Sequence, residues 1–130
     1  MNRYVADTHA LYWYLTDSPR LGKRASEAFD EADEGRATIC VPAIALAELF
    51  YMNEKLGRQL DFRSTLEYLQ ASGQFTLLPF LPEETLDLDV DRGVPEMHDR
   101  IIVGVARRMS LPLLTCDASI TANGLVAVVW

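Results

Sequence analysis

Four acidic residues stand where an apolar core would have to strip them of water. Asp7 ends the run Tyr4-Val5-Ala6, Glu48 interrupts Leu46-Ala47-Glu48-Leu49-Phe50, Asp99 opens Asp99-Arg100-Ile101-Ile102-Val103, and Asp117 follows Leu113-Leu114-Thr115-Cys116. Carboxylates crowded into a low-dielectric pocket repel one another and take up protons unless a hard cation such as Mg²⁺ or Mn²⁺ neutralises them. Such a pocket suits hydrolysis of a phosphodiester by metal-activated water; with two ions about 3.5 to 4 Å apart, both the attacking and the leaving oxygen are held. Asp7 is the first expected ligand, Asp99 and Asp117 complete the shell, and Glu48 binds through water or orients the nucleophile. The residues do not choose between one ion and two.

For these acids to meet, distant segments must reach one edge of a fold. Strand is expected over Arg3 to Ala6, a short helix over His9 to Leu15, and a second helix over Leu21 to Asp33 with Ala25, Ala28, Phe29 and Ala32 as its apolar stripe. A strand at Ala37 to Val41 leads into a helix with Pro42 in its first turn, continuing to Leu56 and ending at Gly57. Phe62 to Ala71 reads as helix, Phe75 to Leu78 as strand, Pro82 to Asp91 as a short acidic helix and Gly93 to Glu96 as loop. Asp99 to Met109 is a strongly periodic helix, Leu113 to Thr115 a strand, Ser119 to Ala122 a helical turn and Leu125 to Val129 a closing strand. The strands are continuous apolar runs, which marks a parallel sheet covered on both faces, and ligands of such sheets bind beyond the carboxyl ends of the strands.

Asp7 and Asp117 each follow a strand and so belong on that edge. Glu48 shares a helical face with Ile44 and Met52, and Asp99 lies in line with Ile102, Val103 and Ala106, so both point inward. Arg100 and Arg107 project from another side of that helix, with Arg108 nearby. Helix capping is the competing account for Asp7, Asp99 and Asp117, each of which precedes a helical segment. It leaves Glu48 unexplained, and a capping carboxylate still has a lone pair to offer. Thr115 is placed to hydrogen-bond a carboxylate or the nucleophilic water. His9 and His98 neighbour acids without being required as bases. Arg100 is a candidate for supporting substrate phosphate or an interface.

The chain has 130 residues, 49% of them hydrophobic, which fits one domain spanning 1–130. A formal charge of -7 argues against bulk electrostatic coating of nucleic acid, so any such contact must be local. Arg20, Lys23, Arg24, Arg58 and Arg63 are where an acidic partner or nucleic acid would meet it. Cys40 and Cys116 each lie in apolar surroundings without metal-binding spacing and are expected to be buried thiols. The N-terminus lacks the pattern of a secretory signal, and the longest apolar stretch, Ile39 to Ala47, is too short for a bilayer; a cytoplasmic setting without membrane contact is expected. The first helix carries more apolar surface, in Tyr12, Trp13, Tyr14 and Leu15, than one sheet contact needs. With Phe50, Tyr51 and Met52 it suggests a groove for a partner helix or extended segment.

Asp7-Thr8-His9-Ala10, Pro42-Ala43-Ile44-Ala45-Leu46-Ala47-Glu48-Leu49, His98-Asp99-Arg100-Ile101-Ile102-Val103 and Leu113-Leu114-Thr115-Cys116-Asp117, in that order along essentially the whole chain, resemble the PIN-domain ribonucleases, and most closely the VapC-type toxins of toxin-antitoxin pairs. The resemblance implies a Rossmann-like three-layer α/β/α sandwich with a mostly parallel sheet. It further implies a Mg²⁺-dependent endoribonuclease leaving 3′-hydroxyl and 5′-phosphate ends, a homodimer, and inhibition by a cognate antitoxin. By position, Asp7, Glu48, Asp99 and Asp117 would be the acidic quartet, with Thr8 and Thr115 in support. Three alternatives stand beside it: a haloacid-dehalogenase-like phosphatase, a receiver-like signalling module, and a PIN-like module that binds without cleaving. The first two want a late lysine to neutralise phosphate, and no lysine follows Lys55.

Overall fold

The structure, a computed structural model, describes residues 1–130. Its strands are β1 (Asn2–Ala6), β2 (Ala37–Pro42), β3 (Phe75–Leu78), β4 (Leu113–Leu114) and β5 (Val128–Val129). Its helices are α1 (Thr8–Leu15), α2 (Lys23–Asp33), α3 (Ala43–Lys55), α4 (Phe62–Ala71), α5 (Met97–Met109) and α6 (Ala118–Asn123), with a 3-10 helix over Pro82–Asp89. All five strands pair in parallel in the order β3-β2-β1-β4-β5, with Tyr4 opposite Ile39, Ile39 opposite Phe75, Val5 opposite Leu113 and Leu114 opposite Val129. The chain builds outward from β1 to β3, then returns to add β4 and β5 on the other side. The strand order therefore reverses between β1 and β4, and a crevice opens there at the carboxyl edge.

Successive strand residues face opposite sides of a sheet. Val5 and Ala6, Cys40 and Val41, and Leu113 and Leu114 are all fully buried, so both faces are covered and the sheet is the middle layer of an α/β/α sandwich. Phe29, Leu49, Leu69 and Ile102 bring α2, α3, α4 and α5 into the same core.

Local chemistry sets the element ends. The Asp7 carboxylate accepts from the Ala10 N–H at 2.8 Å, Asp61 from Ser64, and Asp117 from Ser119 and Ile120, each filling free donors of a first helical turn. α5 begins two residues before the expected Asp99, because Glu96 rather than Asp99 is its cap and accepts from the Asp99 N–H at 2.7 Å. Pro42 stays extended at the end of β2 and caps α3 instead of entering its first turn. β4 stops at Leu114, where the Thr115 hydroxyl turns to accept from the Asp117 N–H at 3.1 Å, and β5 is confined to the two residues that β4 can pair.

The acidic 3-10 segment is strapped to α5 by charge. Asp91, wholly buried, accepts two hydrogen bonds from the Arg107 guanidinium at 2.8 and 3.2 Å, while Arg108 donates to Asp87 at 2.9 Å and Glu84 at 2.6 Å. A bidentate guanidinium is the pairing best able to offset the desolvation of a carboxylate. Cys40 is buried as expected, but Cys116 is exposed: it lies beyond the end of β4, on the crevice edge rather than in the sheet. No helix is long and apolar enough to cross a membrane.

Candidate metal centre

The crevice between β1 and β4 is walled by the starts of α1, α5 and α6 and by one face of α3. Asp7 reaches it because β1 ends at Ala6 and the next residue must cap α1. Asp117 reaches it in the same way ahead of α6. Asp99 sits in the first turn of α5, and Glu48 on the second turn of α3. The Thr8 hydroxyl, itself buried, donates to Glu48 at 2.7 Å and ties α1 to α3 across the crevice.

The ionisation behaviour of these groups records their crowding. Burial first, and then the negative charges of Asp117, Glu96, Glu48 and Asp7, together push the Asp99 carboxyl up to about 6. All four expected acids therefore act within one electrostatic neighbourhood. Asp7 is also raised, first by burial and last by Asp117, against the lowering effects of a hydrogen bond from the Thr115 hydroxyl, the Ala10 N–H and the His9 imidazole. Asp117 is lowered, chiefly by the Ser119 hydroxyl, which donates at 2.6 Å, and by the N–H groups of α6. One pocket thus holds an acid driven toward protonation beside another held ionised.

The tightest potential ligand group is not drawn from the four alone. Glu48, Glu96 and His98 bring one ligand atom each within 4.8 Å of one another, and no three of the four expected acids converge so closely. Asp7, Glu48 and Asp117 are each held by a donor of their own, and like charges oppose a closer approach. His98 Nδ1 stands 2.5 Å from Glu96 and 3.7 Å from Glu48. The hydrogen bond to Glu96 raises the His98 pKa, and burial opposes it. For Glu96 burial acts upward but is outweighed by the N–H groups of Asp99 and His98 and by the imidazole, so its carboxyl is lowered. Sequence reasoning passed over Glu96. The available signal was its spacing: an acid three residues before Asp99 at the head of a helix suits a cap.

Thr115 is fully buried, with its hydroxyl bonded to Asp7 and accepting from the Asp117 N–H, so it joins the two strand-end acids. Arg100 turns away from the acids: its Nε donates to the Val94 carbonyl at 2.7 Å and its guanidinium also reaches the Arg92 carbonyl. Arg107 and Arg108 are likewise spent on the acidic strap. The donor set facing the crevice is carboxylate and hydroxyl oxygen with one imidazole, which fits a hard divalent cation.

A family model described as PIN domain matches residues 4–124. Among solved structures, VapBC2 from Rickettsia felis bound to a DNA fragment from their promoter aligns with TM-score 0.71 and 16% identity over 97% of this chain and 96% of that one. VapBC from Salmonella typhimurium, DNA-bound, gives TM-score 0.68 and 18% identity over 98% and 97%. FitAcB from Neisseria gonorrhoeae gives 0.65 and 22% over 96% and 95%. At these identities the structures show a shared fold. No curated protein matches the sequence.

Proposed function

Since the chain belongs to the PIN-domain family, we propose that it is a Mg²⁺-dependent endoribonuclease and the toxin of a VapC-type toxin-antitoxin pair. The family places the chain among nucleases and sets aside the phosphatase and receiver alternatives. The observation that carries the finer reading is that Asp99 at the switch point, raised to about 6 by burial first, is raised also by the charges of Asp117, Glu48 and Asp7 together with Glu96. Mn²⁺ would serve in place of Mg²⁺, and the donor set accommodates one ion or two.

Asp7, Asp99 and Asp117 would hold the cation directly, with Glu48 reaching it through water. When bound, the cation supplies charge neutralisation at the phosphoryl oxygens and a more acidic water. Thr115 keeps the Asp7 carboxylate oriented, and Thr8 does the same for Glu48. Glu48, Asp99 and Asp117 are each half-buried, so a phosphodiester would meet them from the surface, with Asp7 buried behind them.

The structural relatives bear names of two-component complexes, and the same arrangement is proposed here: a cognate antitoxin, and a homodimer of this chain. A cleft of about 440 Å³ between α1 and α4, lined by Tyr14, Leu15, Leu60 and Tyr68 among others, supports the antitoxin reading, as do the exposed Phe50 and Tyr51. A cytoplasmic setting agrees with the RNA substrate. The deciding experiment is end-mapping of RNA incubated with purified protein and Mg²⁺, with EDTA and Asp7→Asn as controls. Cleavage leaving 5′-phosphate ends, lost in both controls, is expected. A folded protein that leaves RNA intact at every metal concentration is instead the non-cleaving module.

A further inference from the structure

We propose that His9, Trp13 and Trp130 form a stacking track for single-stranded RNA, leading from the acidic crevice toward Arg20 and Lys23. The inference rests on the nuclease reading and adds where the strand lies. A protein of net charge -7 whose reactive crevice is lined with carboxylates repels phosphate, so its affinity for RNA must come from elsewhere. Base stacking on aromatic rings needs no positive charge.

The rings are where such a contact is required. All strands are parallel, so Trp130, immediately after β5, emerges at the same edge as Asp117 after the neighbouring β4. His9 is exposed in the first turn of α1, two residues after its cap Asp7 at the crevice edge. Trp13 follows one helical turn on, its ring 5.3 Å from His9 and inclined at 57°, and Trp130 stands edge-on to Trp13 at 5.7 Å. The only two tryptophans of the chain thus sit together beside the crevice.

Trp130 occupies a built seat. Its carbonyl accepts from the Arg24 N–H at 3.1 Å, and a Cβ on Gly22 would come within 2.6 Å of the indole, so glycine makes the room. The track continues into basic chain. Trp13 and Arg20 line one cleft of about 400 Å³, and Arg20 and Lys23, both exposed, form no ion pair with any carboxylate. Trp13 and Trp130 are half-buried against the core and His9 is exposed, so the bases would meet the His9 ring and the outer part of each indole, followed by free cations; this suits a flexible strand whose bases are unpaired, whereas a duplex hides the base faces.

Both tryptophans belong to the track, so intrinsic fluorescence reads it directly. The full chain carrying Asp7→Asn is titrated with a short oligouridylate, and with an RNA duplex as control. Saturable quenching by the single strand and none by the duplex is expected. In the cleaving protein, His9→Ala and Trp130→Ala should each raise KM for RNA roughly tenfold with kcat held. His9 is exposed, so its variant keeps the fold even if Trp130→Ala does not. His9→Phe restores KM if the ring stacks, and fails to do so if the imidazole moves a proton. Cleavage with unchanged KM in both alanine variants, or no quenching, overturns the track while the nuclease stands. Quenching by an oligonucleotide without any wild-type cleavage keeps the track and removes the nuclease reading. Quenching by a co-expressed protein alone overturns the track in favour of a protein-binding face.

Discussion

Asp99 shows what one carboxylate reports about its surroundings. Its pKa near 6 lies above the ordinary value for an aspartate, so the folded protein holds this proton more tightly than the unfolded chain does. That contribution to stability is fully present below the unfolded pKa and is lost as pH rises through about 6. Asp7 and His98 are raised too and act in the same direction. In EDTA, the melting temperature should therefore increase as pH falls from neutrality toward 5, and Asp99→Asn should flatten that dependence. Saturating Mn²⁺ at neutral pH should raise the melting temperature, because a ligand bound only by the folded state stabilises it. Thr8→Val tests support of Glu48: loss of the 2.7 Å hydrogen bond is expected to lower metal affinity, read by Mn²⁺ titration, about tenfold with little change in fold.

Among the elements, α5 carries the most varied duties. Its inner stripe, from Ile101 to Ala106, is buried; its first turn presents Asp99; its last turns hold the acidic strap through Arg107 and Arg108. Arg107→Ala would leave Asp91 charged, buried and unpaired. A loss of about 3 kcal/mol in urea unfolding is expected, with a smaller loss when Asp91→Ala is added. Gly104 belongs to the same arrangement: a Cβ there would lie 3.1 Å from both Asp91 Oδ2 and Arg108 Nη1, so the bare backbone is what lets the strap close. The arginines that the periodicity of α5 sets apart from Asp99 find their partners here, in a segment that sequence reading marked only as acidic.

For the molecule as a whole, the toxin reading makes a cellular prediction. Expression of the chain alone should arrest growth, co-expression of a small neighbouring gene product should relieve the arrest, and Asp7→Asn should be harmless at equal protein levels. Harmless expression of an enzyme shown to cleave RNA would remove the toxin role and leave the nuclease. At this scale the charge balance also becomes intelligible: five of the twelve Lys and Arg residues, Arg36, Arg58, Arg92, Arg107 and Arg108, are paired with carboxylates, and the 19 acidic residues outnumber all twelve, so the molecule does not gather polyanions nonspecifically.

The alternation of strand and helix, and the arrival of Asp7 and Asp117 at strand ends, were legible in the chain because they are local. Apolar runs, helical stripes and capping residues act over a few positions, and α4 and β3 fall where those signals place them. What the tertiary structure alone decided lies between segments remote in sequence: the approach of His98 and Glu96 to Glu48, the meeting of Trp13 with Trp130, the anchoring of Asp91 by Arg107 and the exposure of Cys116. These depend on how crossover connections set helices over a twisted sheet. Charge and ring contacts act through space, and no periodicity along the chain encodes a distance across it.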